Sequence, residues 1–395
     1  MGSVPADLTP DAAGPAPPSP AAPGPATAGP ALTSPAVNGS AAAAPVPARA
    51  GARRDGWAAP FLFPTPTSMR RVAVAGVVAN AGIIMTGAAV RLSASGLGCP
   101  DWPTCTSGSL VASHTQGDPM LHTYIEFSNR VLTFAVMVVA VLVMVTAWRF
   151  HPPGPRGRAA RRRTLVWLAA AQPLGVVAQA VLGGIVVLTD LNPAAVSLHF
   201  LLSASILALA VTLWSRCAEG DGPATRVVRV DLRWLSVAIV PVVALMLAAG
   251  TVVTGAGPLA GSTFVPHEGG GPRYVPRYHL PLEGVTQLHA DIGWVLGTLA
   301  VVLAVGLQLA GAPSRVRRLG WLVLGLVGLQ GVIGYAQYFS GLPAGLVWVH
   351  VAGSVLIWIA ALRLMFATRD RGPVPATGPS PAGRVSRAVA VPAEP

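Results

Sequence analysis

From Val72 to Ala367 the chain alternates long apolar runs with short polar stretches. A bilayer core of about 30 Å takes about 20 helical residues to cross. Eight runs are long enough, at roughly 72–92, 122–148, 164–187, 194–215, 233–254, 285–309, 318–338 and 346–367. The pattern predicts an all-α polytopic membrane protein with eight transmembrane helices. Residues 1–69 and 369–395 lack apolar periodicity and are rich in Ala, Pro and Gly, so both read as disordered tails. The first apolar run begins at Val72, behind Arg70 and Arg71, which does not fit a signal peptide, and Met69 is an alternative start.

Composition agrees with the pattern. Of 395 residues, 52% are hydrophobic and 11% charged, with a mean hydropathy of +0.59, which excludes an ordinary soluble domain. The net charge of +12 comes entirely from arginine. Arg70/Arg71, Arg156/Arg158/Arg161/Arg162/Arg163, Arg226/Arg229, Arg315/Arg317/Arg318 and Arg369/Arg371 fall between runs on one side. The positive-inside rule makes that side cytoplasmic and puts both termini there, in a plasma membrane. The charge thus reports topology, and no nucleic-acid partner is expected. The two longest opposite loops, about 93–121 and 255–284, are candidate lids. The first contains Cys99 and Cys105, in a compartment where a disulfide can persist; two unpaired small residues are the alternative. Cys217 reads as an unpaired packing residue.

The two halves repeat. Gln179, Gly183 and His199 have the same spacing as Gln330, Gly334 and His350, with Gly four after Gln and His sixteen after Gly. Extending the comparison sets 85–98 beside 248–261 and 123–130 beside 284–291, and with the latter pair shifted by one residue Asn129 corresponds to His289. This predicts two tandem pseudo-symmetric four-helix bundles, 70–216 and 233–368, joined by a cytoplasmic linker, 217–232.

Three histidines fall inside spans. His289 and His350 come from the second and fourth helices of one bundle at matching depth, the usual cage for a haem iron. Zinc fits less well, because only Asp291 adds a ligand at that depth. Gly293, Gly297, Gly353 and Ser354 would leave room for a flat macrocycle, or serve close helix packing. The N-terminal bundle keeps His199, has Asn129 in place of the second histidine, and adds Glu126, three residues from Asn129 on one helix face. Arg91 and Arg130 are the charges beside that pocket and suit carboxylates such as haem propionates.

In order, "GAAVRLSASGLGCPDWPTC", "IEFSNR", "GGIVVLTDLNPAAVSLHFLLS" and "GYAQYFSGLPAGLVWVHV" resemble haem A synthase, over about 70–367. The resemblance implies an oxidoreductase that converts the C8 methyl of haem O to the formyl of haem A for haem-copper oxidases. It implies a haem b cofactor on His289 and His350, and a substrate haem facing His199, with Glu126 in the chemistry. It further implies a Cys99–Cys105 disulfide. Asn129 departs from the family's Ile-Glu-x-x-His-Arg and implies five-coordinate substrate iron, or a water held by Asn129. His122, two turns outward, reads as a loop-edge residue. Haem O synthase, cytochrome oxidase assembly factors, membrane lipid and a second copy of the chain are the expected partners. Two rival classes are a di-haem cytochrome b-like electron carrier, which wants four axial histidines, and a haem transporter or chaperone.

Overall fold

A computed structural model describes residues 58–105, 108–110, 120–152, 162–261 and 275–374. The expected tails over 1–57 and 375–395, the arginines Arg156, Arg158 and Arg161, and parts of both long loops lie outside these residues. Among the described residues a short helix α1 (Ala59–Leu62) precedes eight long ones. These are α2 (Pro66–Leu92), α3 (Met120–Arg149), α4 (Arg163–Leu188), α5 (Pro193–Cys217), α6 (Val230–Ala256), α7 (Leu282–Leu309), α8 (Ser314–Phe339) and α9 (Ala344–Ala367). All eight are long and apolar enough to span a bilayer, and the chain is a multi-pass membrane protein.

The helices start earlier than hydropathy places them, and at α2 and α5 a side-chain cap sets the start. Thr65 and Ser68 form a capping box with Pro66 at the first turn, which carries α2 six residues beyond Val72. Together with α1, this orders the last part of the segment read as a tail. Asn192 caps α5 by accepting from the Ala194 N–H at 3.0 Å, ahead of Pro193.

Each half closes as a ring. In the first, α2 packs on α3, α3 on α4, α4 on α5 and α5 back on α2; α6 to α9 repeat the circuit. The turns α4–α5 and α8–α9 match in detail: Leu191 and Leu342, each twelve residues after its Gln, both have φ near +60°, and their N–H groups donate to Val186 and Gln337 carbonyls at 2.8 Å. The rings meet through α2 and α5 on one side and α6 and α9 on the other. The largest apolar cluster runs across this seam and includes Leu207, Val211, Ile239, Leu303 and Leu364. Trp358 donates its indole N–H to the Ala204 carbonyl at 2.9 Å, and Trp348 to that of Met85 at 3.0 Å, so α9 is pinned to both α5 and α2. Outward, Phe134, Trp167, Leu309 and Phe339 are exposed, as suits contact with lipid tails.

At the arginine-rich end the linker and the final turn of the chain come together. Strands β1 (Thr225–Arg226) and β2 (Arg369–Asp370) pair antiparallel. Glu219 beside them takes Arg216 at 2.6 Å and Arg369 at 3.2 Å, while Asp221 takes Arg162 at 2.8 Å. The C-terminal tail expected from 369 therefore begins as part of this clasp, because β2 pairs with β1 and Glu219 attracts Arg369.

Replacing Trp358 by Phe removes one hydrogen bond across the seam and keeps most of the apolar volume. The expected loss is about 0.6 kcal/mol, up to about 1.7, read as a lower midpoint in denaturant titration of the detergent-solubilised protein; an unchanged midpoint would mean that packing alone holds the rings together.

Candidate functional site

The repeated Gln-Gly-His spacing has one mechanical meaning in both rings. The Gln179 amide donates to the backbone carbonyl of His199 at 3.0 Å, and the Gln330 amide to that of His350 at 2.8 Å. One turn along, a Cβ on Gly183 or Gly334 would stand 3.3 Å from Cε1 of the same histidine. Glutamine fixes the backbone and glycine makes room for the ring. Gly250 on α6 does the same for His289, also at 3.3 Å. In all three rings Nδ1 is buried with no hydrogen-bond partner among the described residues, on the glycine side. Nε2 is the nitrogen left for a ligand.

In the second ring His289 of α7 and His350 of α9 face each other with ring centroids 6.4 Å apart. With metal–imidazole bonds of about 2 Å and about 1.2 Å from each nitrogen to its ring centre, two axial imidazoles on one iron stand about 6 Å apart. The pair therefore fits a haem iron between them. Among the described residues no three His, Cys, Asp or Glu side chains converge on one point. Asp291 is exposed and accepts from Gln287 at 2.7 Å, so it does not join the histidines. Of the small residues expected to admit a macrocycle, only Gly297 is open: a Cβ on Gly353 would collide with the Gln330 amide oxygen, one on Gly293 would press on Met246 at 3.2 Å, and Ser354 donates to the Val351 carbonyl. Gly353 serves the glutamine, not the cavity.

The first ring departs from this pattern at one corner. Gly87 is the counterpart of Gly250, yet a Cβ there would have nothing within 4 Å. Asn129 is shorter than the imidazole it replaces and turns aside, accepting from the Thr86 hydroxyl at 2.7 Å. Opposite His199 there is thus space where the second ring has a ring nitrogen.

Over this pocket folds the loop from Ser93 to Cys105. Cys99 and Cys105 are disulfide-bonded, and Cys217 is a buried free thiol. Glu126, 5% exposed, accepts the Cys99 backbone N–H at 2.8 Å on one oxygen and pairs with Arg130 at 2.7 Å on the other. Arg130 also donates to the carbonyls of Cys99, Asp101 and Thr104 at 2.7, 3.0 and 2.9 Å. Its guanidinium, expected to meet a propionate, is taken up in holding this loop. A Cβ on Gly98 would lie 2.6 Å from the His122 backbone, so only glycine lets loop and helix approach this closely. His122 itself meets the Ser95 hydroxyl at 3.0 Å. Trp102 lies against Gly184, next to the glycine behind His199.

Arg91 stands apart from this cluster. Its Nε donates to the Leu259 carbonyl of the other half at 3.3 Å, while its Nη2 is buried with no partner among the described residues. A guanidinium nitrogen withheld from water and unpaired is a ready seat for an anion. Sequence reasoning gave no role to Thr86, Gly87, Gly250 or Trp102, although the pairing of 85–98 with 248–261 already set Gly87 against Gly250.

A profile of the cytochrome oxidase assembly protein family matches residues 70–362. Curated relatives include the Heme A synthase of Shouchella clausii, 28% identical over 250 residues, which cover 61% of this chain and 77% of that protein. Those of Lysinibacillus sphaericus and Halalkalibacterium halodurans are 30% and 28% identical over 172 and 142 residues, or 42% and 36% of this chain. The match spans 52% and 43% of these two, about half the length of each.

Gly334→Val should displace the His350 ring and empty the second pocket, read as loss of the haem absorbance that copurifies with the protein. Gly297→Ala, where a Cβ meets nothing within 4 Å, should leave that absorbance unchanged. Equal spectra for parent and Gly334→Val would mean that the ring position does not matter for binding.

Proposed function

The chain belongs to the cytochrome oxidase assembly protein family, and from that premise we propose that it is a haem A synthase, an oxidoreductase converting the C8 methyl of haem O to a formyl group. The contrast between the rings supports this reading: one offers two opposed histidines, the other a single histidine facing open space beside a buried carboxylate. A di-haem electron carrier would want the fourth histidine that Asn129 replaces.

His289 and His350 would hold haem b, which when bound supplies one-electron transfer. Haem O would enter the first ring with His199 toward its iron, and Arg91 Nη2 would take a propionate in place of Arg130. Asn129, tied to Thr86, would keep the opposite side of the iron free for water or a small oxygen species. Glu126 would present its carboxylate beside the macrocycle edge, where loss of electrons or of a hydride equivalent from the methyl develops positive charge. Arg130 and the Cys99 N–H fix that carboxylate, and the loop above it would keep bulk water from the reacting carbon. We place the arginine-rich end on the cytoplasmic side of the plasma membrane, with haem O synthase supplying substrate and oxidase assembly factors taking the product.

Haem extracted from protein made in cells that contain haem O tests the proposal: haem A or its hydroxylated precursor is expected beside haem b, and haem b alone would overturn it. Glu126→Gln should lower haem A formation about a hundredfold or more without changing haem b content, since the carboxylate lies in the other ring; formation at the parent rate would remove Glu126 from the chemistry. Asn129→His should add an absorbance component of six-coordinate low-spin iron when haem O is bound. An unchanged spectrum would show that position 129 does not face the iron.

A further inference from the structure

At the arginine-rich end a groove of about 540 Å³ runs along α9, flanked by α5 and α8. Arg315, Arg318 and Arg363 line its mouth, and Leu322, Leu326 and Leu356 belong to its apolar wall. Leu322 and Leu356 are half exposed, so the wall opens toward the bilayer. From Arg318 to Leu326 the groove follows α8 for eight residues, about 12 Å of helix, a length that suits the upper part of an acyl chain.

The charge at the mouth is not compensated. Arg315 and Arg318 are exposed and have no ion-pair or hydrogen-bond partner among the described residues. Arg363 stacks 3.9 Å over Trp214 and donates to the Ser215 hydroxyl at 3.0 Å, which fixes its guanidinium at the edge of the groove. Arg70 and Arg315 both press like charge on Arg363. The carboxylate that answers them, Glu219, is already shared by Arg216, Arg369 and Arg371. Arginines on one side of a membrane protein are ordinary. Three that converge on an apolar, bilayer-facing groove between helices call for a molecule with an anionic head and a hydrocarbon tail.

We propose that this groove binds an anionic glycerophospholipid from the leaflet on the arginine-rich side, its phosphate held by Arg315, Arg318 and Arg363 and one acyl chain laid along Leu322, Leu326 and Leu356. The lipid would bridge the two halves, since Trp214 belongs to the first ring and the rest of the groove to the second.

Native mass spectrometry of the full chain in detergent, titrated with dioleoyl phosphatidylglycerol or dioleoyl phosphatidylcholine, tests this. The parent should retain phosphatidylglycerol in preference, and R315Q/R318Q should bind it about thirtyfold more weakly. Both side chains are exposed and unpartnered, so this variant should melt like the parent without lipid. R226Q/R229Q, with the same loss of charge at other exposed positions of that end, should bind like the parent. Equal binding by R315Q/R318Q and parent, or an equal drop in R226Q/R229Q, would overturn the site. So would a groove that takes haemin through Arg315 and Arg318 but does not distinguish the two lipids.

Discussion

An imidazole that must present one nitrogen inside a membrane bundle is held by what stands behind it. Here that support is a glycine against Cε1 and, for His199 and His350, a glutamine amide on the carbonyl of the same residue. Nδ1 is closed off on that side, which leaves Nε2 as the nitrogen that could meet a ligand. The ring of four helices, the matched left-handed turns and the small residues on α4, α6 and α8 all serve this arrangement. Each sets how far one helix stands from the histidine of the next.

Duplication then permits divergence. Each ring closes on itself, so one corner of the first can differ from its counterpart while the second keeps its own circuit. Asn129 marks such a difference: one shorter side chain, caught by Thr86, leaves open the place that Gly250 reserves for His289 in the other half. The lid above depends on a second local device, in which Glu126 and Arg130 satisfy one N–H and three carbonyls of the loop. The same carboxylate thus holds the loop with one oxygen and the arginine with the other.

The fold was legible because its signals are periodic: eight apolar runs, arginines on alternate connections, and a spacing repeated between halves. His289 and His350 could be paired in advance because matched depth on helices two and four constrains both. Side-chain commitments were less legible. Arg130 looked free for a propionate, and only the folded loop reveals the carbonyls that occupy it. Gly353 looked like cavity, but whether a glycine faces a ligand or a neighbouring glutamine depends on helix rotation, which hydropathy does not encode. The ends of α2 and the pairing of β1 with β2 escaped for a related reason. Both depend on a few polar contacts in stretches whose composition reads as linker.

The clasp at the arginine-rich end joins residues that the ribosome makes far apart. Glu219 and Thr225 leave the exit tunnel before the second ring exists, whereas Arg369 and Asp370 follow its last helix. The first ring can close while the chain is still being made, with Arg162 and Arg216 already on Asp221 and Glu219, but β1 has no partner until α9 has been delivered. Closure of the clasp therefore marks delivery of α9, and a chain cut short within α9 carries β1 without its partner strand.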